Sequence, residues 1–196
     1  MSRTKLILLG TGTPNAEPWA SGPAVAVTVD DKAYLVDFGA GVVRQCTKAF
    51  SMGIEQLNPR NLTVAFCTHL HSDHTTGLAD LIFTPWVLTR NEPLKIYGPK
   101  GMKHMVDCIS DAYKVDVDFR LHGDEQGNEN GYKTDVTEIY NGYVYKDELV
   151  TVEAFTALHG TLECYSFKFT TPDKVIVISG DTCPTQLMVD KAKGCD

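Results

Sequence analysis

The chain alternates between short apolar runs and polar or glycine-containing breaks, and the spacing of its apolar positions shifts several times between strand and helix periods. Residues 3–10 read as a first strand, followed by Thr11-Gly12-Thr13-Pro14, a turn whose glycine permits close approach of another backbone. Residues 24–29 and 33–37 are two β-rich runs joined through Asp30-Asp31, which predicts a hairpin. After Asp37-Phe38-Gly39-Ala40-Gly41, the positions Val42, Val43, Cys46, Ala49 and Phe50 fall at helical spacing and predict a helix through Met52. A buried-type strand is expected at 62–67 and a helix at 78–87, which Pro85 should bend or end. Residues 94–98 read as a strand, and 100–113 as a helix with Pro99 suiting its first turn. Beyond a polar surface loop at 123–131, alternation predicts antiparallel strands at 136–140, 143–145, 149–157 and 164–170. Residues 175–178 are apolar throughout, the pattern of a strand covered on both faces, and Thr182 is placed to cap a last helix starting at Pro184.

With 196 residues, 43% hydrophobic and 22% charged, the chain can bury a proper core, and we expect one domain over 1–196. No apolar run is long enough to span a bilayer, and Leu6-Ile7-Leu8-Leu9 stops at Gly10, too short for a secretory signal, so the expected compartment is the cytoplasm. The six cysteines lack paired spacing and read mostly as small buried hydrophobes, Cys67 and Cys183 included. A formal charge of −7 argues against general affinity for a nucleic-acid backbone, and Lys95, Lys100 and Lys103 read as a solvated surface.

Candidate chemistry concentrates in Thr68-His69-Leu70-His71-Ser72-Asp73-His74, which holds three of the chain's six histidines. Residues two apart on an extended chain share a face, so His69 and His71 can converge on one cation, and Asp73 and His74 on the following turn can address a second. Imidazole and carboxylate without thiolate suit zinc and also accept manganese or iron. The stretch resembles the His-x-His-x-Asp-His signature of metallo-β-lactamase fold hydrolases, with Thr68 and Gly77 at its usual flanks. Residues 9–14 and 93–101 resemble the ribonuclease Z and arylsulfatase-like branch of that superfamily.

The resemblance implies a mixed α/β (α+β) fold, an αββα sandwich of two sheets with helices outside and metals at one edge. It implies His159 as a third metal histidine and Asp181 as a carboxylate bridging two ions. One site would comprise His69, His71, His159 and Asp181, and the other Asp73, His74 and Asp181. Asp37 would lie under the metals and hold a ligand histidine from behind. The superfamily supplies a further histidine from a strand beyond the bridging aspartate; this sequence stops at Lys193-Gly194-Cys195-Asp196, so we expect the second half of the fold to be incomplete and assign no general acid. His104 and His122 are assigned to a helix surface and a loop, away from the metals.

Two cations about 3.5–4 Å apart bring a bridging water toward neutral pKa and neutralise charge developing on an ester. Asp73 would both ligate and orient the attacking hydroxide. Ribonuclease Z of the bacterial type carries a tRNA-gripping arm between the third histidine and the bridging aspartate, whereas here 21 residues separate His159 from Asp181. The expected substrate is therefore a small phosphodiester or aryl sulfate ester, and tRNA is not expected. The alternatives are a lactonase, thioesterase or β-lactam hydrolase, or a fold-only binding module; the resemblance also implies a homodimer.

Overall fold

A computed structural model describes residues 3–196. Among the described residues ten strands form two sheets. The first holds β1 (Thr4–Gly10), β2 (Ala24–Val29), β3 (Lys32–Val36), β4 (Val64–Phe66), β5 (Leu94–Gly98) and β6 (Thr134–Glu138), in that order across the sheet. Strands β1 to β3 form an antiparallel meander, the Ala24–Val36 hairpin expected from sequence, while β3 to β6 run parallel. The second sheet is antiparallel and consists of β7 (Gly142–Lys146), β8 (Thr151–Thr156), β9 (Tyr165–Thr170) and β10 (Val175–Ile178), ordered β10-β9-β8-β7. Parallel strands need crossovers, and the helices supply them: α1 (Val42–Ser51), α2 (Ser72–Thr75), α3 (Leu78–Val87), α4 (Met102–Ala112) and α5 (Lys114–His122), with α6 (Gln186–Ala192) after β10.

Pleating divides the first sheet's side chains between two cores. Ala26, Leu35, Ala65 and Ile96 face the helical layer and pack with Val42, Val43, Leu78, Leu81 and Ile82. Val27, Val29, Tyr34, Val36 and Phe66 face the second sheet, where Val152, Ala154, Phe167 and Phe169 meet them. The fold is thus the mixed α/β sandwich that the resemblance implied. Among the described residues no helix is long and apolar enough to cross a membrane.

Four local expectations are corrected. The strand expected at 136–140 as one of an antiparallel set is β6, which runs parallel to β5 at the edge of the first sheet. Pro85 does not end α3, which runs on to Val87. The carbonyl that Pro85 leaves without its helical donor, that of Leu81, accepts instead from Arg90 Nη1 at 3.1 Å. The same buried guanidinium also serves Leu62 O, Ile82 O and Gly131 O. His122 is not in the loop but closes α5, where Asp118 accepts from its Nδ1 at 3.0 Å. The cap of α6 is Thr185, whose hydroxyl accepts from Met188 N; Thr182 is drawn elsewhere, its hydroxyl accepting from Leu158 N at 3.1 Å.

Candidate metal centre

The site forms where β3 and β4 end side by side, Asp37 N donating to Phe66 O at 2.8 Å. Asp37 is buried and left-handed at φ 60, unusual for a residue with a side chain. Its carboxylate accepts from Thr68 N at 2.7 Å, from Thr68 Oγ1 at 2.9 Å, and from His74 Nδ1 at 2.8 Å. Because the Thr68 hydroxyl spends its proton on Asp37, it must accept from His69 Nδ1, 2.9 Å away. One carboxylate thereby sets two tautomers. His69 and His74 both carry their proton on Nδ1 and present a bare Nε2 to the opposite side.

Those nitrogens face a cluster. His69 Nε2 lies 3.0 Å from His71 Nδ1, which lies 3.2 Å from His159 Nε2. His74 Nε2 is 3.5 Å from Asp181 Oδ1, and Asp181 Oδ2 is 4.0 Å from His159 Nε2. Two sets of donors result, His69 with His71 and His159, and His69 with His74 and Asp181. Nitrogens held about 2.0–2.1 Å from a tetrahedral zinc ion lie about 3.3 Å apart, and the two contacts of the first set, 3.0 and 3.2 Å, are close to that spacing. Asp181 turns Oδ1 toward His74 and Oδ2 toward His159, and His69 is common to both sets. Asp73 is peripheral: its Oδ2 is 3.7 Å from His74 Nε2, outside both tighter groups.

His69, His71, Asp73 and His74 come from the end of the first sheet, His159 and Asp181 from the second. Tyr165 N donates to Thr68 O at 2.9 Å and ties the sheets together beside the cluster. The segments after β8 and β10 are cross-linked by Cys183 N to Leu158 O at 3.0 Å, which sets His159 beside Asp181. Gly180 makes the turn into Asp181 at φ +60, and a Cβ there would press to 2.9 Å of the Thr68 side chain. An open cleft of about 740 Å³ bordered by His159, Gly160, Asp181 and Thr182 gives access.

Burial, reinforced by the neighbouring His74 imidazole, pushes His69 down to about 4, so it is neutral at pH 7 and free to ligate. Burial also acts to lower His74, but the Asp37 hydrogen bond and the carboxylates of Asp37, Asp181 and Asp73 outweigh it and leave the pKa raised.

His104 is exposed on α4 with Cys108 Sγ 3.7 Å from its Nε2, and neither it nor His122 joins the cluster. Cys67 is buried as expected, whereas Cys183 is exposed because its backbone, not its thiol, is used in the cross-link; half of the cysteines, Cys108, Cys183 and Cys195, are exposed. Thr68 appears in the sequence as a motif flank, and nothing in the pattern announces its hydrogen-bond relay.

A family model described as anti-Pycsar protein Apyc1 matches residues 4–194. Ribonuclease Z of Mycobacterium bovis (strain BCG / Pasteur 1173P2) is 30% identical over 198 residues, covering 98% of this chain and 68% of the relative. The chain therefore spans about two thirds of that relative's length. Human tRNase Z, short form, has a similar fold (TM-score 0.75, 24% identity, 97% of this chain and 75% of that one). So does the metallo-β-lactamase fold protein YhfI from Bacillus subtilis (TM-score 0.72, 16% identity, 98% and 68%).

Proposed function

The chain belongs to the anti-Pycsar protein Apyc1 family and is a metal-dependent hydrolase of the metallo-β-lactamase fold, and from that premise we propose that it cleaves small phosphodiesters at a pair of zinc ions. The observation that carries this reading is the convergence of five side chains, His69, His71, His74, His159 and Asp181, with Asp73 at their edge and two imidazoles fixed in the ligating tautomer. Asp181, with one oxygen near His74 and the other near His159, would help to hold both ions. A bound zinc pair supplies water of near-neutral pKa and positive charge for the phosphoryl oxygens.

The chain's own residues do the rest. Asp37 holds His74 directly and His69 through Thr68, so neither ring needs to reorient as a substrate arrives. Asp73, at the rim, accepts a hydrogen of the attacking water and aims its oxygen at phosphorus. Asp181 and the open cleft beside it leave one side free for the ester.

RNA is the second reading, favoured by the name of the ribonuclease Z relative. Two features weigh toward a small substrate: only 21 residues lie between His159 and Asp181 and β9 and β10 occupy ten of them, leaving no room there for an RNA-gripping arm, and the net charge is −7. A homodimer is part of the proposal on the ribonuclease Z likeness alone.

Elemental analysis alongside hydrolysis of bis(p-nitrophenyl) phosphate and p-nitrophenyl sulfate tests the assignment. We expect about two zinc ions per chain and chelator-sensitive phosphodiester turnover, abolished in His159→Ala and Asp181→Ala. Metal-loaded protein that turns over only the sulfate, or a carbonyl ester, would overturn the phosphodiester assignment; no metal and no turnover would indicate a binding module.

A further inference from the structure

The two imidazoles of the His69, His74 and Asp181 set are each held from behind, His74 by Asp37 and His69 by Thr68. Asp181 has no such support for its side chain. Among the described residues its half-exposed carboxylate meets only imidazoles, with His74 Nε2 at 3.5 Å and His159 Nε2 at 4.0 Å. Where that carboxylate points is therefore decided by the backbone that carries it.

That backbone is held at three successive carbonyls. Ser166 Oγ donates to Ser179 O at 2.7 Å, Ser179 Oγ to Gly180 O at 2.8 Å, and Cys164 Sγ to Asp181 O at 3.4 Å. Cys164 directly precedes β9 and Ser166 lies within it; two apart on an extended chain, they reach the same side. Ser166 is fully buried and Cys164 is 2% exposed, so neither bond can be handed to water. On the other side of the turn Gly180 lies so close to Thr68 that even a Cβ would come within 2.9 Å of it. The turn that aims Asp181 is thus gripped from β9 and backed by the residue that orients His69.

We propose that Ser166 and Cys164 are positioning residues for Asp181, and that through it they govern the affinity of the second zinc ion, the one beside His74, and not that of the first. This rests on the two-zinc reading above. The asymmetry follows from the donor sets. His69, His71 and His159 converge without Asp181. One imidazole nitrogen ligates one ion, so when His69 serves the first, the second is left with His74, Asp181 and the more distant Asp73. A small displacement of Asp181 then costs the second ion a main donor and leaves the first ion's three imidazoles in place.

The test is a zinc titration of the metal-free chain against a competing chelator, with thermal midpoints measured before and after loading. In Ser166→Ala the first ion should bind as in the unaltered chain and the second about tenfold more weakly. Cys164→Ala should act in the same direction with a smaller loss, because a thiol is the weaker donor. Ser166→Cys and Cys164→Ser each keep a donor and should restore most of the second ion's affinity. Zinc should also raise the midpoint of Ser166→Ala by less than that of the unaltered chain. If Ser166→Ala does not fold, the pair Cys164→Ala and Cys164→Ser decides. Midpoints that fall equally with and without zinc while both affinities stay unchanged would show a packing role alone and overturn the proposal. Equal weakening of both ions, or alanine variants no different from the donor-keeping ones, overturns it too. An unaltered chain that takes up one ion or none overturns the two-zinc reading itself, whereas two ions bound with unchanged affinity in every variant overturns only the assignment of Ser166 and Cys164.

Discussion

At the scale of single residues, Asp37 is the point on which the site turns. Its two oxygens collect the Thr68 amide, the Thr68 hydroxyl and His74 Nδ1, so one carboxylate orients His74 directly and His69 at one remove. Replacing it by asparagine keeps the shape but removes the charge and offers an amide N–H where an acceptor is needed. Partners of this kind are typically worth ~10–100-fold in metal affinity. Asp37→Asn should therefore hold zinc about 10–100-fold more weakly in a titration against a competing chelator; unchanged affinity would mean that the rings are held by packing alone. The sequence shows Asp37 at the right place, after a strand and before glycines, but its partners become visible only when β3 and β4 lie side by side.

At the scale of elements, what is local in the chain was legible and what depends on a distant partner was not. The apolar runs locate every strand to within a few residues, and the histidine spacing locates the metal motif, because both are short-range patterns. Helix α5 has no fully buried residue; Val117 and Leu121 pack against the core, but with Val115 and Phe119 they alternate with polar residues at a strand period, and the helical signal is charge at a spacing of four, Asp116 with Arg120 and Asp118 with His122. Pro85 misleads for a similar reason. A proline breaks a helix unless something else serves the carbonyl it abandons, and here Arg90, in a different segment, does so. Burial without a paired acid lowers the Arg90 pKa to about 10, and the carbonyls of Leu62, Leu81, Ile82 and Gly131 share its protons. Arg90→Met should fill the space but leave those acceptors unpaired, at a cost of at least about 3 kcal/mol. Urea unfolding would show this as a lower midpoint at unchanged slope, and a shift under 1 kcal/mol (roughly, on the same scale) would show that water replaces the guanidinium.

At the scale of the whole molecule, the donor set is divided between the sheets: His69, His71, Asp73 and His74 follow β4, His159 follows β8 and Asp181 follows β10. Ions that bind only the docked arrangement stabilise it by mass action, about 2.7 kcal/mol at a hundredfold excess over Kd. For a chain of this size that is about 5–10 °C in Tm. Chelation should lower the thermal midpoint by that much and re-addition of zinc should restore it, whereas a midpoint insensitive to chelator would mean that the sheets dock without help. The division also has a consequence for biogenesis. In the proposed reading each donor set draws on both sheets, so the full coordination of a metal ion exists only once the two layers have closed, and tight loading would follow their docking.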